Sequence, residues 1–226
     1  KTYMEKLSDR LNRLSPSATL AMSQKSSELK AQGIDVINLS VGEPDFRTPW
    51  QIRKAGIASL EKGQTRYTSN RGLDSLRAEI SGYVSRKWGV KYDPESEILV
   101  TVGGSEAIDI AIRAIVEPGD EVIIPMPSFV CYEPIVRLSG GVPVIINTTF
   151  EDKFKLTADA LRAAITEKTK VLVLPFPNNP TGAIMEKEEL EAIAEVLRGT
   201  DIVVLSDEIY AELTYGKPHT SIATLE

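Results

Sequence analysis

The stretch VLVLPFPNNPTGAIMEKEELEAIAEVLRGTDIVVLSDEIY, residues 171–210, gives the strongest indication of the fold. It starts and finishes with short, continuously apolar runs, Val171–Leu174 and Ile202–Leu205. Between these runs, Glu186–Leu197 has the apolar spacing of a helix, and Gly199 marks its end. Because strands that are apolar on both faces lie between layers of helices, the stretch predicts two parallel strands joined by a helix.

The same alternation extends upstream to residue 98. Further apolar runs occur at Ile98–Val100, Val122–Ile124 and Val142–Ile146. Helical patterns follow them at Ala107–Ile115, Tyr132–Leu138 and Thr157–Ile165, with Thr157 as a candidate N-cap. Five runs interleaved with helices predict an α/β protein in which a mostly parallel sheet forms the middle of three α/β/α layers.

The first 95 residues are organised differently. Helical patterns cover Pro16–Lys30, Pro49–Lys62 and Leu73–Lys87, and Val36–Leu39 is a candidate short strand. The segments at 42–48 and 63–72 have the composition of ordered loops.

The composition limits the classes of function. With 32 acidic and 26 basic residues the net charge is −6, which argues against a general nucleic-acid binder. Cys131 is the only cysteine and His219 the only histidine, so an internal disulfide is excluded and a histidine-based triad or multi-histidine metal site is disfavoured. The sequence has no apolar run long enough to cross a bilayer and no secretory pattern at its start, so we expect a cytoplasmic protein without a membrane anchor.

Ligands of an open α/β sheet bind beyond the carboxyl ends of its strands, so the segments after the apolar runs are the candidates for chemistry. Gly103-Gly104-Ser105 lies between the first run and its helix. Close glycine amides at a helix N-terminus suit a phosphate group; the alternative is a tight turn with Ser105 as N-cap. The segment lacks the G-x-G-x-x-G fingerprint, which disfavours a nicotinamide dinucleotide site.

Three more positions each allow a functional and a structural interpretation. Asn179, in the turn 177–182, can donate its amide to a ligand oxygen or bond its own backbone. Asp207, with Tyr210 three residues later, can pair with a protonated pyridine nitrogen or cap a following helix. The ring of Phe129 can stack on a flat cofactor or simply fill the core.

Taken together, these motifs resemble the class I/II, fold-type I aminotransferases, which depend on pyridoxal 5'-phosphate (PLP). The resemblance is carried by the ordered set Val41–Phe46, Tyr67–Leu73, Val102–Ala107, Pro118–Val122, Asn178–Gly182 and Ser206–Tyr210. Within the family, the sequence is most similar to bacterial aspartate aminotransferases. The implied fold is part of the large PLP-binding domain, at 46–226, preceded at 1–45 by an N-terminal arm and a small-domain segment.

The resemblance implies a role for each matching residue. It assigns the cofactor to Gly104, Ser105, Phe129, Asn179, Asp207, Tyr210 and Tyr67, and the substrate to Gly42, Phe129 and Asn179. Asp207 would pair with the pyridine nitrogen and Phe129 would stack on the ring. Tyr67 would reach the phosphate bound by the neighbouring subunit, which implies a homodimer.

The expected reaction is transfer of an amino group between an amino acid, of the aspartate or glutamate type, and a 2-oxo acid. In the family, the lysine that forms a Schiff base with PLP follows the Ser206–Tyr210 segment in a serine-rich loop, and the present sequence has no such loop. Lys217 lies in a different motif. We therefore expect that the intact protein is longer, and that this chain alone contains no catalytic residue and is inactive.

Two alternatives stay open at this point. A PLP-dependent carbon–sulfur or related β-lyase uses the same fold and the same cofactor site. A non-catalytic fragment that binds phosphate-bearing ligands or a partner chain is the third interpretation. None of the three requires a metal.

Overall fold

A computed structural model describes residues 8–12, 14, 18–40, 42 and 45–225. The chain forms two compact units, one made of residues 12–68 and the other of Ser69 onward together with the chain up to Leu11. We call them the small unit and the sheet unit. The domain boundary predicted between residues 45 and 46 stays a prediction.

Among the described residues, the small unit contains two helices of three or more turns, α2 (Ala18–Ala31) and α3 (Trp50–Glu61). The single-turn helix α1 (Asp9–Asn12) spans the boundary at Leu11, and its first three residues belong to the sheet unit. Both longer helices agree with the predicted ones, except that Pro16 lies outside the described residues. The strand predicted at Val36–Leu39 is wrong, since residues 34–39 have no regular structure. Ile37 and Leu39 are almost fully exposed, so this apolar run has no covering layer that would favour a buried strand.

The sheet unit contains the α/β architecture. Its elements are α4 (Asp74–Trp88), α5 (Gly103–Ile115), β1 (Glu121–Met126), α6 (Tyr132–Leu138), β2 (Val142–Asn147), α7 (Ala158–Ala164), β3 (Thr169–Leu174), α8 (Lys187–Leu197), β4 (Val203–Ser206) and a short 3-10 helix (Ile222–Thr224). The four strands are all parallel and lie in the order β2-β1-β3-β4.

Alternate residues of the central strands face opposite layers of helices. Val122 and Ile124 of β1 pack in a core cluster with residues of α5 and α6. Ile123, between them, belongs to a second cluster with residues of α7 and α8. Because side chains alternate across a strand, the continuously apolar runs fill both clusters, and the predicted three-layer α/β/α fold is confirmed.

Side-chain hydrogen bonds cap the N-termini of helices α7 and α8. The Thr157 hydroxyl accepts a hydrogen bond from the Ala160 N–H at 3.2 Å, which confirms the predicted N-cap of α7. At α8, the side chains of Glu186 and Glu189 form a reciprocal capping box.

One predicted strand of this unit is wrong. Ile98–Val100 has no regular structure and pairs with none of the strands that the structure describes. Ile98 is buried, and the Val100 N–H donates to the Arg71 carbonyl at 3.0 Å. The run is apolar because it is partly covered, which does not by itself supply a hydrogen-bonded neighbour strand.

Candidate active site

A cavity of about 200 Å³ lies where β1, β3 and β4 end. Six of the residues predicted from the sequence line it together: Gly104, Ser105, Phe129, Asn179, Asp207 and Tyr210. Gly42 and Tyr67 belong to the small unit and are exposed there. The segments that follow the parallel strands therefore converge at one edge of the sheet, as the topology requires.

The start of helix α5 forms one wall of the cavity. The helix begins at Gly103 and its N-cap is Val102, so the interpretation of Ser105 as the N-cap is wrong. Gly103 has a φ of +80°, a conformation that favours glycine and turns the chain directly into the helix. The first N–H groups of a helix have no partner one turn earlier, so Gly104 and Ser105 offer donors to an anion in the cavity.

The two asparagines of the turn after β3 have different surroundings. Asn178 is buried, and its side-chain oxygen accepts from the Thr181 N–H at 3.2 Å and from the Thr181 hydroxyl at 2.9 Å. Asn179 is exposed and lines the cavity, and its amide makes no hydrogen bond to another described residue. The interpretation as a turn closed by its own hydrogen bonds is thus correct for Asn178. The amide of Asn179 instead lies at the cavity without a described partner.

Asp207 follows β4 directly and presents its carboxylate to the cavity. Its Oδ1 accepts from the Ile209 N–H at 3.2 Å, and its Oδ2 accepts from the Tyr132 hydroxyl at 2.7 Å. The N-cap interpretation is wrong, because residues 209–212 form a turn and not a helix. Each carboxylate oxygen has a second lone pair, so both can still accept a hydrogen bond from a ligand.

Phe129 fills part of the core, as one of its two interpretations predicted, while its stacking on a cofactor stays a prediction. The ring is half-buried and packs against the core cluster that contains residues of α5 and α6, and it also lines the cavity. Its ring and that of Tyr132 make a T-shaped contact, with ring centroids 6.0 Å apart and planes at 87°. This contact fixes the orientation of the ring relative to helix α6.

Asp207 is the only charged side chain among the described residues that line the cavity. Burial raises the pKa of the Tyr132 hydroxyl well above its ordinary value, and the nearby charge of Asp207 adds to the effect. Burial, and then the same carboxylate, also raises the pKa of the Cys131 thiol to about 11. Both groups are therefore neutral at physiological pH, and the Tyr132 hydroxyl is a hydrogen-bond donor to Asp207.

A comparison with protein families identifies the chain. The model of the family described as aminotransferase class I and II matches residues 34–226. The chain belongs to this aminotransferase family.

Relatives of the chain are aminotransferases too. A putative aminotransferase of Bacillus subtilis, YugH, is 53% identical over 97% of this chain and 56% of its own length. The aspartate aminotransferase of Bacillus sp. strain YM-2 is 46% identical over 98% of this chain and 56% of its own length. The chain spans about half the length of the curated relatives it matches.

The chain is also similar to solved structures of aminotransferases. The aspartate aminotransferase of Thermus thermophilus, solved with maleate, superposes with a TM-score of 0.93 at 42% identity. The match covers 97% of this chain and 57% of that structure. The predicted family and the fold-type I architecture are confirmed, and so is the cofactor, since aminotransferases of this family use pyridoxal phosphate.

The chemistry of the residues that line the cavity fits pyridoxal phosphate. Backbone N–H groups and a hydroxyl at the start of α5 match a phosphate, the ring of Phe129 matches a flat aromatic surface, and Asp207 matches a protonated ring nitrogen. Lys217 takes no part in the cavity; its ammonium group forms an ion pair with Glu186 at 2.7 Å.

Five residues that line the cavity have no role predicted from the sequence. Ile108, Pro175, Pro177 and Ile209 supply apolar lining, and Tyr132 supplies the hydrogen bond to Asp207. Tyr132 begins α6 and follows Phe129 by three residues across a turn, so the proximity of the two rings could have been expected from their short separation in the sequence. Its contact with Asp207 joins positions 75 residues apart, which no local pattern indicates.

Among the described residues, no helix combines the length and the apolar character that crossing a membrane requires.

Proposed function

We propose that the intact protein is a PLP-dependent aminotransferase that moves an amino group between an aspartate- or glutamate-type amino acid and a 2-oxo acid. The observation that carries this proposal is the meeting of the α5 N-terminus, the Phe129 ring and the Asp207 carboxylate around one cavity. Membership of the aminotransferase family and the similarity to two aspartate aminotransferases support the reaction and the substrate class.

Each cavity residue has a proposed task. The Gly104 and Ser105 N–H groups bind the cofactor phosphate, and Phe129 orients the ring by stacking. Asp207 holds a proton at the ring nitrogen, because its charge stabilises the cationic form. When bound, PLP supplies an electron-withdrawing ring that stabilises the electron pair left as a proton leaves the α-carbon of an amino acid.

Asn179 and Tyr210 are proposed to bond the phenolic oxygen of the cofactor. The free amide of Asn179 is also proposed to contact the substrate carboxylate, together with the backbone at Gly42. Phe129 is the third proposed substrate contact. The carboxyl-edge position of the cavity supports the assignments of Asn179, Tyr210 and Phe129, since ligands of open α/β sheets bind there.

The proposed assembly is a cytoplasmic homodimer in which Tyr67 contacts the phosphate bound by the other subunit. The full exposure of the Tyr67 side chain in the small unit supports this role, because an exposed aromatic ring is available to another chain. The division into an arm at 1–45 and a large domain from 46 is part of the same proposal.

The test uses the purified intact protein loaded with PLP. With aspartate or glutamate and no acceptor, we expect one equivalent of the matching 2-oxo acid per site and no ammonia, followed by the reverse half-reaction when a 2-oxo acid is added. A parallel assay uses cystathionine, an amino acid with a sulfur leaving group at its β-carbon, and sustained release of ammonia and thiol from it would identify a β-lyase instead. A protein that takes up no PLP would contradict the proposal, and Asp207→Ala serves as the matched inactive control.

A further inference from the structure

We propose that Tyr132 is a positioning residue that holds the Asp207 carboxylate in the orientation needed to pair with the ring nitrogen of the cofactor. The proposal rests on the proposed function, because that function gives Asp207 its partner. It adds a residue to the site that the sequence motifs do not contain.

The first argument is the geometry of the carboxylate. The Ile209 N–H bonds one oxygen of Asp207 at 3.2 Å, and the Tyr132 hydroxyl bonds the other at 2.7 Å. A carboxylate held at one oxygen only can rotate about its last side-chain bond, whose torsional profile is broad. Two donors on different oxygens fix its plane, and the shorter of the two bonds comes from Tyr132.

The second argument is the anchoring of the donor. Tyr132 is 2% exposed and packs in the core cluster with residues of α5, α6, β1 and β3. Its phenol reaches from the first residue of α6, which follows β1, to the end of β4, and β3 lies between these two strands in the sheet. The hydroxyl is therefore placed by the packed core and not by the loop that carries Asp207.

The third argument is the link to the aromatic wall. The edge-on contact between Tyr132 and Phe129 means that one packed tyrosine supports both the proposed stacking ring and the proposed nitrogen partner. Binding sites depend on such supporting contacts, since small errors in the position of a charged group weaken its interaction with a ligand.

A purely structural role makes a different prediction, and a matched control separates the two. Ser221 is also buried, and its hydroxyl donates to Glu208, the neighbouring carboxylate, at 2.9 Å. Tyr132→Phe and Ser221→Ala each remove one buried hydroxyl donor from a carboxylate. We expect both variants to fold and to lose comparable stability in urea titrations.

The decisive measurement compares the dissociation constants of PLP and of its 1-deaza analogue, in which C–H replaces the ring nitrogen, for each intact apoprotein. We expect the wild-type protein and Ser221→Ala to prefer PLP to the same degree. In Tyr132→Phe the preference should shrink by about tenfold, as expected for weakening of an interaction with a charged group.

Three outcomes would overturn the inference. An unchanged preference for PLP in Tyr132→Phe, or an equal reduction of this preference in Ser221→Ala, would show that Tyr132 is only a core residue. A wild-type protein that binds both ligands equally would instead show that Asp207 does not pair with the nitrogen, which would remove the proposed function itself.

Discussion

Asp207 and Glu208 are neighbouring carboxylates after the same strand, yet they lie in opposite environments. Asp207 faces the cavity and has two donors with capacity left for a ligand. Glu208 accepts from the hydroxyls of Ser206 at 2.8 Å and Ser221 at 2.9 Å, and contacts His219 Nε2 at 2.9 Å. The difference shows that the residue type does not reveal the role; what matters is whether the protein itself already uses the hydrogen-bonding capacity of the side chain.

The asparagine pair after β3 repeats this division. Asn178 bonds within its own turn and supports the loop, while the amide of Asn179 faces the cavity without a described partner. At both strand ends, one residue of the pair makes hydrogen bonds that hold the loop, and the other lines the cavity. The loops at the cavity are therefore held in part by residues that do not line it.

The largest expected effect distinguishes the two carboxylates, Asp207 and Glu208. In the intact protein, Asp207→Ala should lower turnover at least about a hundredfold, because it removes an electrostatic partner of the reacting system. Glu208→Ala should instead lower the free energy of unfolding by about 3 kcal/mol, since it leaves buried donors without an acceptor. Steady-state kinetics and urea unfolding of both variants check this, and similar profiles for the two would contradict it.

A smaller effect is expected at the asparagines. Asn178→Ala should cost about 2 kcal/mol of stability through the loss of its buried turn bonds. Asn179→Ala should leave stability nearly unchanged and weaken PLP binding and turnover. Thermal unfolding of the apoprotein and PLP titration separate the two, and a destabilised Asn179→Ala would show that this amide belongs to the fold.

The smallest expected effect is a pH dependence of the free energy of unfolding that arises from Glu208. Burial disfavours the ionised form of Glu208, but hydrogen bonds from His219, Ser206 and Ser221 outweigh it and hold the pKa of Glu208 below its ordinary value of 4.5. A lowered carboxyl pKa contributes stability that is present above pH 4.5 and is lost as the pH falls through the native pKa. Urea unfolding between neutral pH and acid should show this loss in the wild-type protein, and Glu208→Gln should show less of it; equal slopes would rule out Glu208 as the source.

Much of the fold could be predicted from the sequence because parallel strands between two helix layers are apolar on both faces. All four strands of the sheet were located in this way, whereas Val36–Leu39 and Ile98–Val100 were assigned wrongly. An apolar run reports burial or local preference, and it does not report whether a neighbouring strand is present to pair with.

The site could be predicted only in part, for a related reason. Six cavity residues follow strands or begin a helix, so their positions are consequences of topology. Tyr132 also begins a helix, but the role proposed for it depends on a contact across the sheet, and its partner was not identifiable until the order of β1, β3 and β4 was known. Likewise, only the hydrogen bonds of the folded turn distinguish Asn178 from Asn179.

The order β2-β1-β3-β4 has a consequence for how the chain acquires its ligand pocket during synthesis. The first wall, at Gly104, and the last, at Tyr210, are more than a hundred residues apart in the sequence. Bringing such distant residues together costs chain entropy, and the contacts that offset this cost form only when β4 docks beside β3. The described walls of the cavity are therefore assembled only when β4 lies beside β3, after β1, β2 and β3 have been synthesised.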